Sequence, residues 1–198
     1  MASRYGAAVN NADFPVFDSF RQRFRNWAFR RTVETGTVVL NQRRIYIVPS
    51  RQGFGFALVL LLMLLGDINY NLSLGYVLTF LLATAGGMSM LHTFRNMAQL
   101  EIHAGHITPV FAGEQARFVF HFNNPGRLER YQFHLHDDAE HRTVFDLPAQ
   151  RSSAIELPQL AARRGWQDSG RLTLHTEFPL GLFHAWTYIH FDVQALVY

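Results

Sequence analysis

The stretch GFGFALVLLLMLLGDI (residues 53–68) is followed closely by a second apolar run, LGYVLTFLLATAGGMSML (residues 74–91). From Arg51 to Arg95 the only formal charge is Asp67, which lies where the two runs are joined. A bilayer core of about 30 Å is crossed by roughly twenty apolar residues in a helix. Two such runs in tandem therefore predict a membrane α-helical hairpin.

We expect this hairpin to occupy residues 43–97, with helices over about 53–70 and 73–92. Arg43, Arg44 and Arg51 precede the apolar runs and Arg95 follows them, whereas the polar link at residues 67–73 has no arginine. Positively charged flanks stay on the cytoplasmic side of a membrane. The sequence thus predicts a multi-pass protein with both termini in the cytoplasm. The first run lies too far from the N-terminus for an ordinary cleaved signal peptide.

Small residues recur every four positions along the second run, at Gly75, Thr79, Ala83 and Gly87. Such a stripe allows two membrane helices to approach closely. It predicts either packing within the hairpin or a contact between two copies in a homo-oligomer, and the residues alone do not choose between them.

Residues 1–42 form a basic arm, and residues 1–52 carry a net charge of +6 against −3 for the remainder. Phe17, Phe20, Phe24 and Trp27 have helical spacing and alternate with arginines. This pattern is typical of an amphipathic helix on an anionic membrane surface. A disordered arm or a partner-docking arm is the alternative. Nucleic acid is a poorer partner, because the aromatic residues line one helix face beside a membrane anchor.

Residues 98–198 change to a period-two pattern. Phe118, Phe120 and Phe122 alternate with other side chains, as do Phe133 with Leu135 and Leu172 with Leu174, and turn-forming residues separate the runs. The pattern predicts an all-β antiparallel sandwich of immunoglobulin-like type. By the orientation argument this domain lies in the cytoplasm.

The chain contains no cysteine, no nucleophile motif and no phosphate-binding loop, so the sequence predicts neither an enzyme nor a bound cofactor. The best cluster of possible metal ligands is His134, His136 and His141 with Asp137 and Asp138. Imidazole and carboxylate groups suit zinc or similar ions. The favoured interpretation is nevertheless a solvated strand face, because both strand histidines alternate with apolar residues.

Several short motifs resemble the Domain of Unknown Function 58 family. They are the run RRIYIVPSRQG before the hairpin (residues 43–53), Arg164 with Gly165, and the run FPLGLFHAW (residues 178–186), which contains Pro179, Gly181, Phe183 and Trp186. The resemblance implies a bacterial inner-membrane protein associated with MoxR-type AAA+ ATPases and lacking established enzymatic activity. The chain ends where family members continue into a von Willebrand A-like portion, so we expect a truncated form.

These observations lead to three hypotheses about function. The first is a non-enzymatic inner-membrane protein whose β-sandwich docks a protein partner such as a MoxR-type ATPase. The second is a metal-dependent enzyme or sensor that uses the histidine cluster, and the third is a fragment with no independent role. Gly181 should form a tight turn, and we expect Trp186 to lie in the core; an exposed patch from Phe183 to Trp186 that binds a partner is the alternative.

Overall fold

The computed structural model describes residues 36–137 and 141–198. Most of the predicted basic arm, including Phe17, Phe20, Phe24 and Trp27, lies outside the described residues, as does Asp138. The described residues all belong to one unit, Val33–Tyr198. The predicted pair of long apolar helices and the predicted antiparallel β region are confirmed.

Two helices form the hairpin: α1 (Arg51–Tyr70) and α2 (Ser73–Met97). Both are long and apolar enough to span a membrane, and their large apolar side chains are mostly exposed. Ser50 caps α1, since its hydroxyl accepts a hydrogen bond of 3.0 Å from the Gly53 N–H. Asn71 ends α1 in the left-handed conformation at φ 51°.

The second helix continues five residues beyond the predicted end at residue 92. The sequence becomes polar there, at Thr93 and Asn96, and both side chains are buried against the β domain. Polar residues that follow an apolar run usually lie in water beyond the end of the helix. For this reason the sequence pattern predicted an end of α2 that is too early.

Eleven strands are present in the part of the chain that the structure describes. They are β1 (Val38–Val39), β2 (Tyr46–Pro49), β3 (Glu101–Ala104), β4 (Gln115–Asn124), β5 (Arg130–Asp137), β6 (Arg142–Leu147), β7 (Arg151–Leu160), β8 (Gly165–Asp168), β9 (Arg171–Thr176), β10 (Phe183–His190) and β11 (Gln194–Val197). Every pairing between these strands is antiparallel, and a single parallel bridge joins Val110 to Val197.

The strands form a four-stranded sheet in the order β1-β3-β4-β7, a five-stranded sheet in the order β2-β10-β9-β5-β6, and the β8–β11 pair. Residues from both large sheets share one apolar core. The core contains the phenylalanines of β4 whose alternation the sequence analysis noted, and they are fully buried. Phe133 and Leu135 of β5 are fully buried there too. Aromatic rings meet across the core, with Phe122 and Phe145 centroids 4.9 Å apart.

Residues 38–49 belong to these sheets, although the sequence analysis assigned them to the arm and the hairpin. Strand β1 pairs with β3, so that Val38 lies opposite Ile102, and strand β2 pairs with β10, so that Tyr46 lies opposite Trp186. Strand β1 has two residues and β2 has four, so neither is long enough to show a clear alternating pattern. The β domain therefore takes strands from both sides of the hairpin, and α1 and α2 form an insertion between β2 and β3.

Candidate functional site

The last turn of α2 is fastened to the β domain by the buried side chain of Arg130. Its Nη1 donates to the carbonyls of Asn96 (3.0 Å) and Ala98 (2.7 Å), and its Nε donates to Oδ1 of Asn124 (2.7 Å). The final carbonyls of a helix lack partners within the helix and carry a partial negative charge. Desolvation lowers the pKa of Arg130, yet guanidinium remains a cation. Arg130 thus neutralises the helix end while joining it to β5.

Asn96 joins the same helix end to two strands. Its Nδ2 donates to the carbonyl of Tyr131 (2.9 Å) and to Oγ1 of Thr176 (3.1 Å), and its Oδ1 accepts from the Tyr131 N–H (3.2 Å). The side-chain amide therefore bonds to β5 and β9 much as a neighbouring strand would. Because the residue is buried, these bonds satisfy groups that would be costly to leave unpaired.

A loop of the β domain, residues 177–182, lies against the near-domain ends of both helices. The Thr93 hydroxyl donates to the carbonyl of Phe178 (2.8 Å), and the Ser50 N–H donates to the carbonyl of Leu182 (2.9 Å). A Cβ added to Gly53 would lie 2.1 Å from the Leu182 oxygen, so only glycine fits there. Gly181 has φ +67°, which confirms the predicted tight turn.

The two helices meet along a seam of small and polar residues. Thr79 donates from its hydroxyl to Oδ2 of the buried Asp67 (2.7 Å), and Gly75 leaves room for that carboxylate. Further along, the ring of Phe56 occupies the space that a Cβ on Gly86 would need. The seam satisfies the one carboxylate of the hairpin, a group that would be costly in lipid.

Of the predicted small-residue stripe, Gly75 and Thr79 lie in this seam, whereas Ala83 and Gly87 are exposed on the hairpin. A strict four-residue spacing rotates by about 40° around a helix at each step, since a helix has 3.6 residues per turn. From Thr79 to Asn96 the buried positions of α2 instead follow steps of seven, three, four and three residues and stay on one face: Thr79, Gly86, Ser89, Thr93 and Asn96. A contact between two copies through Ala83 and Gly87 stays a prediction.

Six rings that contact one another lie on the outer surface of the five-stranded sheet, and we call this group the histidine face. Its members are Tyr46, His134, His136, His175, His184 and Trp186. The His134 and His175 rings stack at 4.7 Å between centroids, and His184 lies 5.1 Å from His175. All six side chains are half-buried. Trp186 therefore lies on this surface, because the core side of β10 is taken by Ala185 and Thr187.

Protonation of the two stacked histidines, His134 and His175, is unfavourable. Burial, followed by the nearby His184, His134, His136 and Arg142, lowers the pKa of His175 to about 3. Burial also lowers the pKa of His134. The rings of His134 and His175 are consequently neutral near pH 7, whereas His184 Nδ1 lies 3.0 Å from Oε1 of Glu177 at the edge of the face.

The structure separates His141 from the two histidines with which the sequence analysis grouped it. Asp137 has the same strand parity as the core residues Phe133 and Leu135, so it points inward, where it bonds His141 Nδ1 (2.9 Å) and Gln159 Nε2 (2.8 Å). His134 and His136 lie on the opposite face with His175 and His184. Among residues 36–137 and 141–198, no group of three or more potential ligands is arranged to hold a metal ion.

The motif residues lie at opposite ends of the β domain. Pro179, Gly181 and Phe183 lie beside the hairpin, whereas Arg164 and Gly165 are exposed where β8 begins, at the far end. Sequence reasoning missed Arg130, Asn96 and Thr93. In the sequence they are polar residues next to apolar runs. Such residues are usually exposed to water, so nothing in the sequence indicated that they are buried.

A scan against protein-family models found no match, and comparisons with curated proteins and with solved structures found none either.

Proposed function

We propose that this chain is a non-enzymatic protein of a bacterial inner membrane, anchored by its helical hairpin, whose β domain docks a protein partner in the cytoplasm. The observation that carries the proposal is the position of the hairpin within the β domain. Because β1 pairs with β3 and β2 pairs with β10, the chain before and after the hairpin belongs to one folded body. If the helices cross a membrane, the whole β domain can lie on one side only when the chain crosses twice, once along α1 and back along α2.

The choice of side rests on charge. Arg43, Arg44 and Arg51 precede the hairpin and Arg95 follows it, which favours a cytoplasmic β domain. Within this proposal the two large sheets form an immunoglobulin-like sandwich, as the alternation along β4, β5 and β9 favours.

Topology is tested with reporters that are active only in the cytoplasm or only in the periplasm, fused after Tyr198 and into the link at residues 71–72. We expect cytoplasmic activity at Tyr198 and periplasmic activity at the link. The same compartment at both positions would contradict a double crossing, and exchanged compartments would place the β domain in the periplasm.

The histidine face is the proposed docking surface. Aromatic residues are enriched in protein interfaces, and the neutral rings of His134 and His175 carry no charge that a partner would have to desolvate. The resemblance to the Domain of Unknown Function 58 family favours a MoxR-type AAA+ ATPase as the partner. The choice of partner is argued from the resemblance, whereas the choice of the histidine face as the docking surface is argued from the geometry of its rings.

The docking proposal is tested by binding of a purified MoxR-type ATPase to the detergent-solubilised chain. We expect Trp186→Ala to weaken binding about tenfold or more, as truncating a central aromatic often does. Trp166→Ala is the matched control, because Trp166 is 70% exposed and lies on β8, outside the histidine face. An ATPase that does not bind would contradict the choice of partner, and a loss of binding caused by Trp166→Ala alone would place the interface elsewhere.

A further inference from the structure

The 177–182 loop carries an apolar side chain at the level where the hairpin leaves the β domain. Leu180 lies at the tip of this loop and is 57% exposed. On one side of Leu180, the Ser50 hydroxyl donates to the Gly181 carbonyl, and on the other side the Phe178 carbonyl accepts from Thr93. The loop is thus held between the ends of α1 and α2.

The level of the loop relative to a bilayer follows from its contact with the first turn of α1. Gly53, against which the Leu182 carbonyl packs, is the first residue of the apolar run, and Arg51 lies two residues before it. Arginine beside an apolar helix marks the boundary between lipid and water. Phe54, in the same turn, is 53% exposed and belongs to the lipid-facing surface of the helix.

We infer that the 177–182 loop is a third membrane contact, in which Leu180 enters the boundary between headgroups and acyl chains of the bilayer that holds the hairpin. An apolar side chain in this position is buried roughly 5–10 Å below the headgroup level. The loop then fixes the tilt of the β domain on the membrane surface, in addition to the hydrogen bonds made by Arg130 and Asn96. The inference rests on the proposed membrane anchoring and goes beyond it, since a hairpin can anchor a domain whose loops stay in water.

Leucines of equal exposure at different places in the fold allow a direct test. Leu58 on α1, Leu160 at the end of β7 and Leu180 are each 57% exposed. Leu160 lies nine residues along β7 from Arg151, which pairs with Asn124 beside the hairpin, and this is about 30 Å at strand spacing. Because the chain has no cysteine, Leu→Cys at each position gives one labelling site.

The experiment attaches an environment-sensitive fluorophore to each single-cysteine variant of the full chain. The variants are reconstituted into vesicles of phosphatidylcholine and phosphatidylglycerol, with and without lipids that carry a spin-label quencher. We expect quenching to be strongest at Leu58→Cys, intermediate at Leu180→Cys and several-fold weaker at Leu160→Cys. Emission at position 180 should also be blue-shifted relative to position 160.

The outcomes separate the inference from the proposed function. Strong quenching at position 58 with equally weak quenching at positions 180 and 160 would overturn the loop contact and leave the anchored hairpin intact. Weak quenching at position 58 would overturn the membrane anchoring and, with it, the loop contact.

Discussion

At the residue scale, Arg130 makes three hydrogen bonds at the junction between α2 and the sheets. Replacing it with alanine removes the donor to the carbonyls of Asn96 and Ala98, and leaves Oδ1 of Asn124 with only the Gly126 N–H as a donor. We expect Arg130→Ala to lower the free energy of unfolding by roughly 2–4 kcal/mol, because unsatisfied buried polar groups are costly. The measurement is thermal or denaturant unfolding of the β domain in detergent micelles.

Arg127→Ala is the matched control for Arg130→Ala. Arg127 lies three residues earlier and is exposed, so its replacement should change stability by less than about 0.5 kcal/mol. Equal effects of the two substitutions would mean that the hydrogen bonds to the helix end contribute little.

His175 gives the histidine face a defined dependence on pH. Its pKa is lowered from 6.5 to about 3 in the folded protein. Above pH 6.5 both folded and unfolded chains carry a neutral ring, and stability is unaffected. Between pH 6.5 and 3 the unfolded chain binds a proton that the folded chain does not, so stability falls as pH falls. A single site contributes at most about 1.4 kcal/mol per pH unit.

We therefore expect His175→Gln to lose less stability than the unsubstituted chain between pH 7 and pH 4. The comparison uses melting temperatures measured at several pH values, and the exposed His106→Gln serves as the control. Parallel pH profiles for the unsubstituted chain and His175→Gln would show that the ring is protonated freely in the folded state.

At the element scale, the start of α1 can approach the 177–182 loop only because residue 53 is glycine. We expect Gly53→Ala to destabilise the chain by about 1–3 kcal/mol, since the added methyl group would collide with the Leu182 carbonyl. Gly55→Ala, two residues along, has nothing within 4 Å of the new carbon and should be neutral or slightly stabilising. Equal melting temperatures for the two variants would contradict this packing.

The regular elements could be predicted from the sequence, because burial there follows a simple period. The apolar runs predicted both helices, and the alternation of Phe118, Phe120 and Phe122 predicted a half-buried strand. The junction between α2 and the sheets could not be predicted, because Arg130 and Asn96 are buried polar residues. Their positions are set by hydrogen bonds and follow no hydrophobic period. Strand pairing places His175 and His184 next to His134. The register of the strands decides this contact, and the spacing of the residues along the chain does not reveal it.

At the scale of the whole molecule, one β domain is assembled from two parts of the chain that the hairpin separates. We expect a chain cut at a protease site placed in residues 71–72 to remain associated in mild detergent. The N-terminal part keeps β1 and β2, which pair with β3 and β10 of the other part, and α1 keeps its seam with α2. Co-purification through a tag on one part measures the association, and separation of the parts would contradict the shared sheets.

The pairing of β2 with β10 also imposes an order on biosynthesis. Strand β2 leaves the ribosome before either helix, whereas β10 is the last strand to be made for the two large sheets. In a membrane-anchored chain the translocation machinery consequently receives the hairpin before the β domain can close. A nascent chain whose hairpin fails to insert would expose unpaired strand edges beside two apolar helices, which is the kind of surface that chaperones and quality-control proteases recognise.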